Sequence, residues 1–215
     1  EFPHLLNMVQ QNQFDTAYHE HFSYLSLTAV QRIFSANGLN IFDVENLVTH
    51  GGSLRVFAQT GNVHSLSIRV QDNLDRERNQ GMLTLDFYRH FQKQAEKVKD
   101  DLLVYLVQCK RQGLKVAAYG AAAKGNTLLN FAGVKSDLIA YVVDKNTQKQ
   151  GKFLPGSRLA IVDEAYLKMD KPDRVVIFPW NLREEICHDL SYIRDWSGQF
   201  VMAVPSLIEQ VITKE

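Results

Sequence analysis

From Leu114 to the end the sequence repeats one pattern, a short apolar run followed by a turn and a stretch of helical spacing. The runs at 115–119, 138–143, 158–162, 174–178 and 199–204 are rich in Val, Ile, Ala and Tyr. Helical segments near 126–132, 163–168 and 181–197 lie between most of them. A strand that is apolar on both faces needs cover on both, which points to a parallel sheet sandwiched by helices. The region 114–215 is therefore expected to be an α/β domain, and one whose ligands sit at the carboxyl ends of its strands.

The preceding residues read differently. A short helix over 4–12 follows Pro3, which suits a first helical turn. The stretch 14–24 is polar and aromatic without a period and reads as a loop. Ser26 or Thr28 can cap the next helix, which Gly38 stops. Strands over 39–47 and 53–59, joined by Thr49-His50-Gly51-Gly52, suggest an antiparallel pair, and 64–70 reads as a third extended piece. Residues 71–80 form a polar linker, and 83–112 reads as one long helix ended by Gly113. The expected domains are 1–75, a linker with a connecting helix over 76–113, and 114–215.

The loop Gly120-Ala121-Ala122-Ala123-Lys124-Gly125-Asn126 follows the first apolar strand of the last domain and opens a helix. Free N–H groups at such a helix start attract an anion, and Lys124 adds a positive charge. It is not a P-loop, because Asn126 stands where that motif has its lysine, and it lacks the spacing of the dinucleotide fingerprint. Gly120 and Gly125 give the backbone room to approach a phosphate or pyrophosphate, and Lys124 and Asn126 favour that reading over a tight βα turn packed with small residues, in which neither has a packing reason to be there. Asp144, at the end of the next strand, could hold a ribose hydroxyl or serve a turn. In Pro179-Trp180-Asn181-Leu182-Arg183-Glu184, Asn181 and Glu184 resemble a capping box, and Trp180 and Arg183 would lie at the ligand edge of the sheet.

A second constellation is Tyr18-His19-Glu20-His21. Imidazole, with an ordinary pKa of about 6.5, accepts protons near neutrality. A carboxylate can orient it, and a phenol can bond a developing oxyanion. Such a set suits proton removal beside a carbonyl. His50 could join it or belong to its turn. A metal site is not expected, since His19 and His21 lack a third ligand at a usual spacing.

The charges balance, 24 basic against 24 acidic, so a general nucleic-acid partner is not expected. No stretch approaches the roughly 18 apolar residues of a membrane helix. Two isolated cysteines, Cys109 and Cys187, read as reduced core thiols, hence a cytoplasmic setting. The chain opens Glu1-Phe2-Pro3 without an initiator methionine, so a longer parent is expected.

Taken together, Tyr18-His19-Glu20-His21-Phe22-Ser23-Tyr24, Thr49-His50-Gly51-Gly52-Ser53-Leu54-Arg55, the loop from Tyr119 to Thr127, Val143-Asp144-Lys145-Asn146, Lys149-Gln150-Gly151 with Leu154-Pro155-Gly156, and Pro179-Trp180-Asn181-Leu182-Arg183 resemble the S-adenosylmethionine-dependent C-methyltransferases of nucleotide-linked deoxysugars. The resemblance runs in one order over nearly the whole chain. It implies a Rossmann-like C-terminal substrate domain, preceded by the closing helix and antiparallel strands of a class I methyl-donor domain whose glycine-rich loop lies outside this chain. It implies proton abstraction next to a sugar ketone by His21, with Tyr18 and Glu20 beside it, then methyl transfer to carbon. Lys124, Asn126, Gly120, Gly125, Asp144, Arg183, His50 and Arg55 are the implied substrate contacts. The methyl donor would bind largely outside this chain, any zinc only in a further N-terminal segment, and the chain alone would be inactive. The residues by themselves leave open a nucleotide- or dinucleotide-binding α/β module without methyltransferase activity.

Overall fold

The computed structural model describes residues 1–61 and 63–210, with the side chains of His50 and Gln210 outside that description. Two compact units form: Glu1–Phe14 with His19–Ala95, and Asp15–Tyr18 with the residues from Glu96 onward.

In the first unit, β1 (Phe2–Pro3), α1 (Leu5–Gln10), α2 (Leu27–Ala36), β2 (Leu39–Leu47), β3 (Ser53–Thr60), α3 (Ile68–Asn79) and α4 (Leu85–Arg89) follow in order. The strands make an antiparallel sheet ordered β1-β3-β2, with β2 and β3 in register from Leu39↔Thr60 to Leu47↔Ser53. Ser26 caps α2 by accepting the Ala29 amide at 3.0 Å, and Gly38 ends the turn after it at φ +74°. Leu27, Val30, Ile41, Val44, Leu54 and Val70 form the core.

Two expectations fail at α3. The extended piece at 64–70 and the linker at 71–80 are replaced by one helix, whose N-cap is Ser67. Its buried residues are Val70, Asn73 and Glu77, one helical face of which only the valine is apolar. The polar residues earn that position through hydrogen bonds. The fully buried Glu77 carboxylate takes His4 Nε2 at 2.7 Å, the Leu27 and Thr28 amides at 2.5 and 2.9 Å, and Thr28 Oγ1 at 2.6 Å. It thereby satisfies the open amides at the start of α2. Burial alone would raise its pKa, but the bonds from His4, Thr28 and the Leu27 amide outweigh that and hold it below the usual carboxylate range.

The expected single helix over 83–112 is broken at His90 into α4 and α5 (Phe91–Arg111). Beyond it come β4 (Val116–Tyr119), α6 (Ala123–Ala132), β5 (Val142–Val143), β6 (Ile161–Val162), α7 (Glu164–Asp170), β7 (Arg174–Ile177), α8 (Arg183–Asp189), β8 (Gln199–Met202) and β9 (Ile208–Gln210). The expected helix over 181–197 is α8 followed by a 3-10 turn at Ser191–Trp196.

The second sheet has the order β6-β5-β4-β7-β8-β9, parallel throughout except for β9. Ala117, Tyr119, Val143, Val175, Ile177, Phe200 and Met202 join one core cluster with Ile186, Leu190 and Ile193. The alternating residues Val116, Ala118, Val142, Val176 and Val201 are equally buried, so both sheet faces are covered, as the apolar runs require. The α/β class read from the sequence is the observed one. Strand β9 carries no comparable run, and its Glu209 is fixed to Arg174 on β7 at 2.5 Å. Cys109 is buried and Cys187 half-buried.

Strand order creates the feature that matters for ligands. From β4 the chain builds outward through β5 and β6, then resumes on the other side of β4 at β7. Between β4 and β7 the windings diverge, and a crevice opens at the carboxyl ends of such a pair.

Candidate functional site

Both loops that leave this switch point carry residues singled out in the sequence. After β4, Gly120 turns at φ +92°, and a Cβ there would lie 2.5 Å from Pro179 Cδ. A Cβ at Gly125 would enter the Phe178 ring. The room offered by the two glycines is thus used by the segment after β7, which packs directly on the loop and on α6.

Asp144 has a similar internal use. Its Oδ2 accepts the Ala121 amide at 2.7 Å and its Oδ1 the Asn146 amide at 2.8 Å. Lys149 donates to the Ala121 carbonyl at 2.9 Å and lies 3.3 Å from Asp144 Oδ2. This carboxylate clamps the loop.

Lys124 lies in the first turn of α6, 7% exposed. Its Nζ donates to Asn181 Oδ1 at 3.0 Å and sits 4.1 Å over the Trp180 ring. An ammonium has three donors, so this arrangement leaves it able to grip an anion at a helix start. The Trp180 indole N–H donates to Asp15 Oδ2 at 2.8 Å. Asp15 is 1% exposed, and its Oδ1 has no hydrogen-bond partner among the described residues; the same holds for Asn126 Oδ1. Burial pushes the Asp15 carboxyl up to about 6, against the indole bond and the nearby Lys124 charge. Burial also pulls Lys124 down, and Asp15 opposes that.

Two members of this cluster were not foreseen. Asn181 reads as a helix cap with Glu184, but α8 starts at Arg183 and has no side-chain cap, so Asn181 is left to hold Lys124. Asp15 gives no local signal, because its partner stands 165 residues away.

The Tyr18–His21 motif lies in irregular backbone, as expected. His19 and Glu20 are exposed, with Glu20 Oε1 4.0 Å from His19 Nε2. His21 is half-buried, its ring edge-on to Tyr24 at 6.3 Å. The Tyr18 amide donates to the Thr16 carbonyl at 3.1 Å. Arg55 spans two carboxylates, Glu1 at 2.9 Å and Glu45 at 3.5 Å. Arg183 lines a cavity of 260 Å³ with Glu184, Cys187, Met202 and Ile208, a set that includes no partner of Lys124. His50 contributes backbone to the turn Thr49–Gly51, and its side chain is outside the described residues. Among the described residues no three His, Cys, Asp or Glu side chains gather as metal ligands, and no helix is long and apolar enough to cross a membrane.

Comparison with known proteins agrees with this architecture. The profile of a family described as the C-methyltransferase C-terminal domain matches residues 48–205. C-methyltransferase NovU from Streptomyces niveus is 35% identical over 206 residues, covering 95% of this chain and 49% of its own length. The chain therefore spans about half of that relative. The match covers β3 and the strands β4 to β8 together with both loops of the switch point, and on it the chain belongs to the C-methyltransferase C-terminal domain family.

Proposed function

We propose that the chain is the C-terminal part of an S-adenosylmethionine-dependent C-methyltransferase acting on a nucleotide-linked keto-deoxysugar in the cytoplasm. The observation that carries this reading is the Lys124 ammonium, buried at the start of α6 and held by Asn181 and Trp180 at the sheet's switch point. A diphosphate is the anion suited to it. Asn126 and the loop amides are the neighbouring groups proposed to complete its grip, and Arg183, Arg55 and His50 are further proposed contacts.

His21 is assigned the base that removes the proton on the carbon beside the ketone. The imidazole nitrogen takes that proton, the bonding pair moves into the carbon–oxygen system, and an enolate results. Tyr18 is suited to hydrogen-bond the enolate oxygen and Glu20 to stabilise the imidazolium. The Asp144 carboxylate that a donor's ribose would use is already drawn into closing the loop through two backbone amides, which speaks against the donor at this position. The donor is assigned to residues outside this chain. The same closure disfavours the dinucleotide-binding alternative.

Titration calorimetry on the full chain tests the reading. A nucleoside-diphosphate sugar is expected to bind, while NAD and S-adenosylmethionine are not. Lys124→Met should weaken the sugar nucleotide by about 10- to 100-fold, the worth of a charged hydrogen bond. Binding of NAD alone would overturn it.

A further inference from the structure

A lysine buried without a counter-charge drifts towards the neutral amine, which cannot hold an anion. Around the Lys124 ammonium stand Asn181 Oδ1, the Trp180 face, and Asp15 on the indole N–H. Among the described residues, Asp15 is the charged group whose field opposes that drift at Lys124. What acts on Asp15 in turn is Lys124, Trp180 and the amides of Asp15 and Thr16.

We propose that Asp15 is a positioning residue of the anion site, fixing the indole on which Lys124 rests and keeping that ammonium charged. The inference rests on the reading of Lys124 as the diphosphate anchor and adds what makes that anchor work. Two observations support it beyond the distances. An asparagine would accept the indole N–H equally well at a lower desolvation cost, yet an acid stands here with one oxygen unpartnered. Its negative charge therefore has a use that the hydrogen bond alone does not explain. Moreover, Asp15–Tyr18 belongs to the unit of the anion site, although the residues on either side of it in sequence belong to the other.

The test is NMR on the full chain with carbon-labelled lysine, Lys124 being assigned through Lys124→Arg. Asp15→Asn keeps an acceptor for the indole and removes the charge. The Lys124 titration midpoint should fall by about one pH unit in that variant, while Asp15→Glu restores it towards the wild-type value. Affinity for inorganic pyrophosphate should decline at correspondingly lower pH in Asp15→Asn. The wild-type protein supplies a second measurement that needs no variant. The Trp180 indole N–H resonance should titrate with Asp15, and the Lys124 signal should follow the same midpoint. A Lys124 midpoint unchanged in Asp15→Asn, or a Lys124 signal indifferent to the indole titration, would overturn the proposal. Failure of the wild type to bind pyrophosphate would sink the diphosphate reading alone, because the Lys124 midpoint still decides the role of Asp15.

Discussion

Each unit holds a carboxylate with at most 1% exposure, Glu77 in the first and Asp15 in the second, and the two are treated in opposite ways. Both oxygens of Glu77 are taken, by His4, two amides and a hydroxyl, and its pKa is held low. Asp15 has one oxygen on the Trp180 indole and one with no partner among the described residues, and its carboxyl is pushed up to about 6. A saturated buried acid is a construction element, because nothing is left with which to meet a ligand. An unsaturated one, set near a buried ammonium, carries a cost that packing does not justify and so marks a site.

The sharpest way to break this contrast is to remove Glu77. Glu77→Ala leaves His4 and the Leu27 and Thr28 amides buried without an acceptor. Truncating one partner of such a buried charged network costs about 3–5 kcal/mol. Urea unfolding followed by circular dichroism should show the transition of the first unit moving to much lower denaturant, and Glu77→Gln should lie between. A shift worth less than about 1 kcal/mol would mean that saturation of Glu77 is incidental.

The pH dependence should separate the two acids by sign. Glu77 has a lowered folded pKa, so its stabilisation is complete above its unfolded value of 4.5 and is lost as pH falls through the folded value. Asp15 is raised from 3.8 to about 6, so ionising it works against the fold. Stability of the second unit therefore falls as pH rises from about 4 to about 6. The shift of roughly two units corresponds to at most about 3 kcal/mol. Asp15→Asn removes this dependence, and the variant should gain on the wild type between pH 4 and pH 7. Parallel pH curves for the two proteins would remove the stability cost on which the contrast relies.

This contrast also explains what could be read in the sequence. The sheet was legible because Val116 to Tyr119, Arg174 to Ile177 and their neighbours are buried on both faces and hence apolar throughout. Helix α3 was not, because two of its three buried residues, Asn73 and Glu77, are polar, and hydrophobic periodicity is blind to a face held by hydrogen bonds. Lys124 was legible as a charge in a loop of small residues. Its partners were not, since Asn181 reaches it through the strand order that sets β4 beside β7, and Asp15 joins the cluster through the Trp180 indole from 165 residues away. Asn181 even carried a competing local reading as a cap. Sequence spacing reports local geometry, and this site is made by pairing across the sheet.

Gly125 sharpens the comparison at intermediate cost. Gly125→Ala brings a methyl group onto the Phe178 ring, against which α6 is packed. Overpacking of this kind costs about 1–3 kcal/mol. Because α6 must move away from the segment after β7, Lys124 should also lose its contact with Asn181, and the indole N–H resonance of Trp180 should shift. A destabilised variant with an unmoved indole signal would separate packing of the loop from the setting of the ammonium.

Arg55 provides the lower limit. It is a charged group with two acidic partners, Glu1 and Glu45, but its side chain is 47% exposed. Water screens such pairs, and holding the long side chains in one geometry costs entropy, so Arg55→Ala should lower stability by less than about 1 kcal/mol. Two ionic partners thus predict a small effect here, while the buried network at Glu77, with His4 as its ionic partner, predicts a large one, with burial as the difference. Since its stability role is slight, any loss of sugar-nucleotide affinity in Arg55→Ala, measured by calorimetry beside an unchanged urea midpoint, reports on binding alone. Unchanged affinity would remove Arg55 from the proposed substrate contacts while leaving the Lys124 anchor untouched.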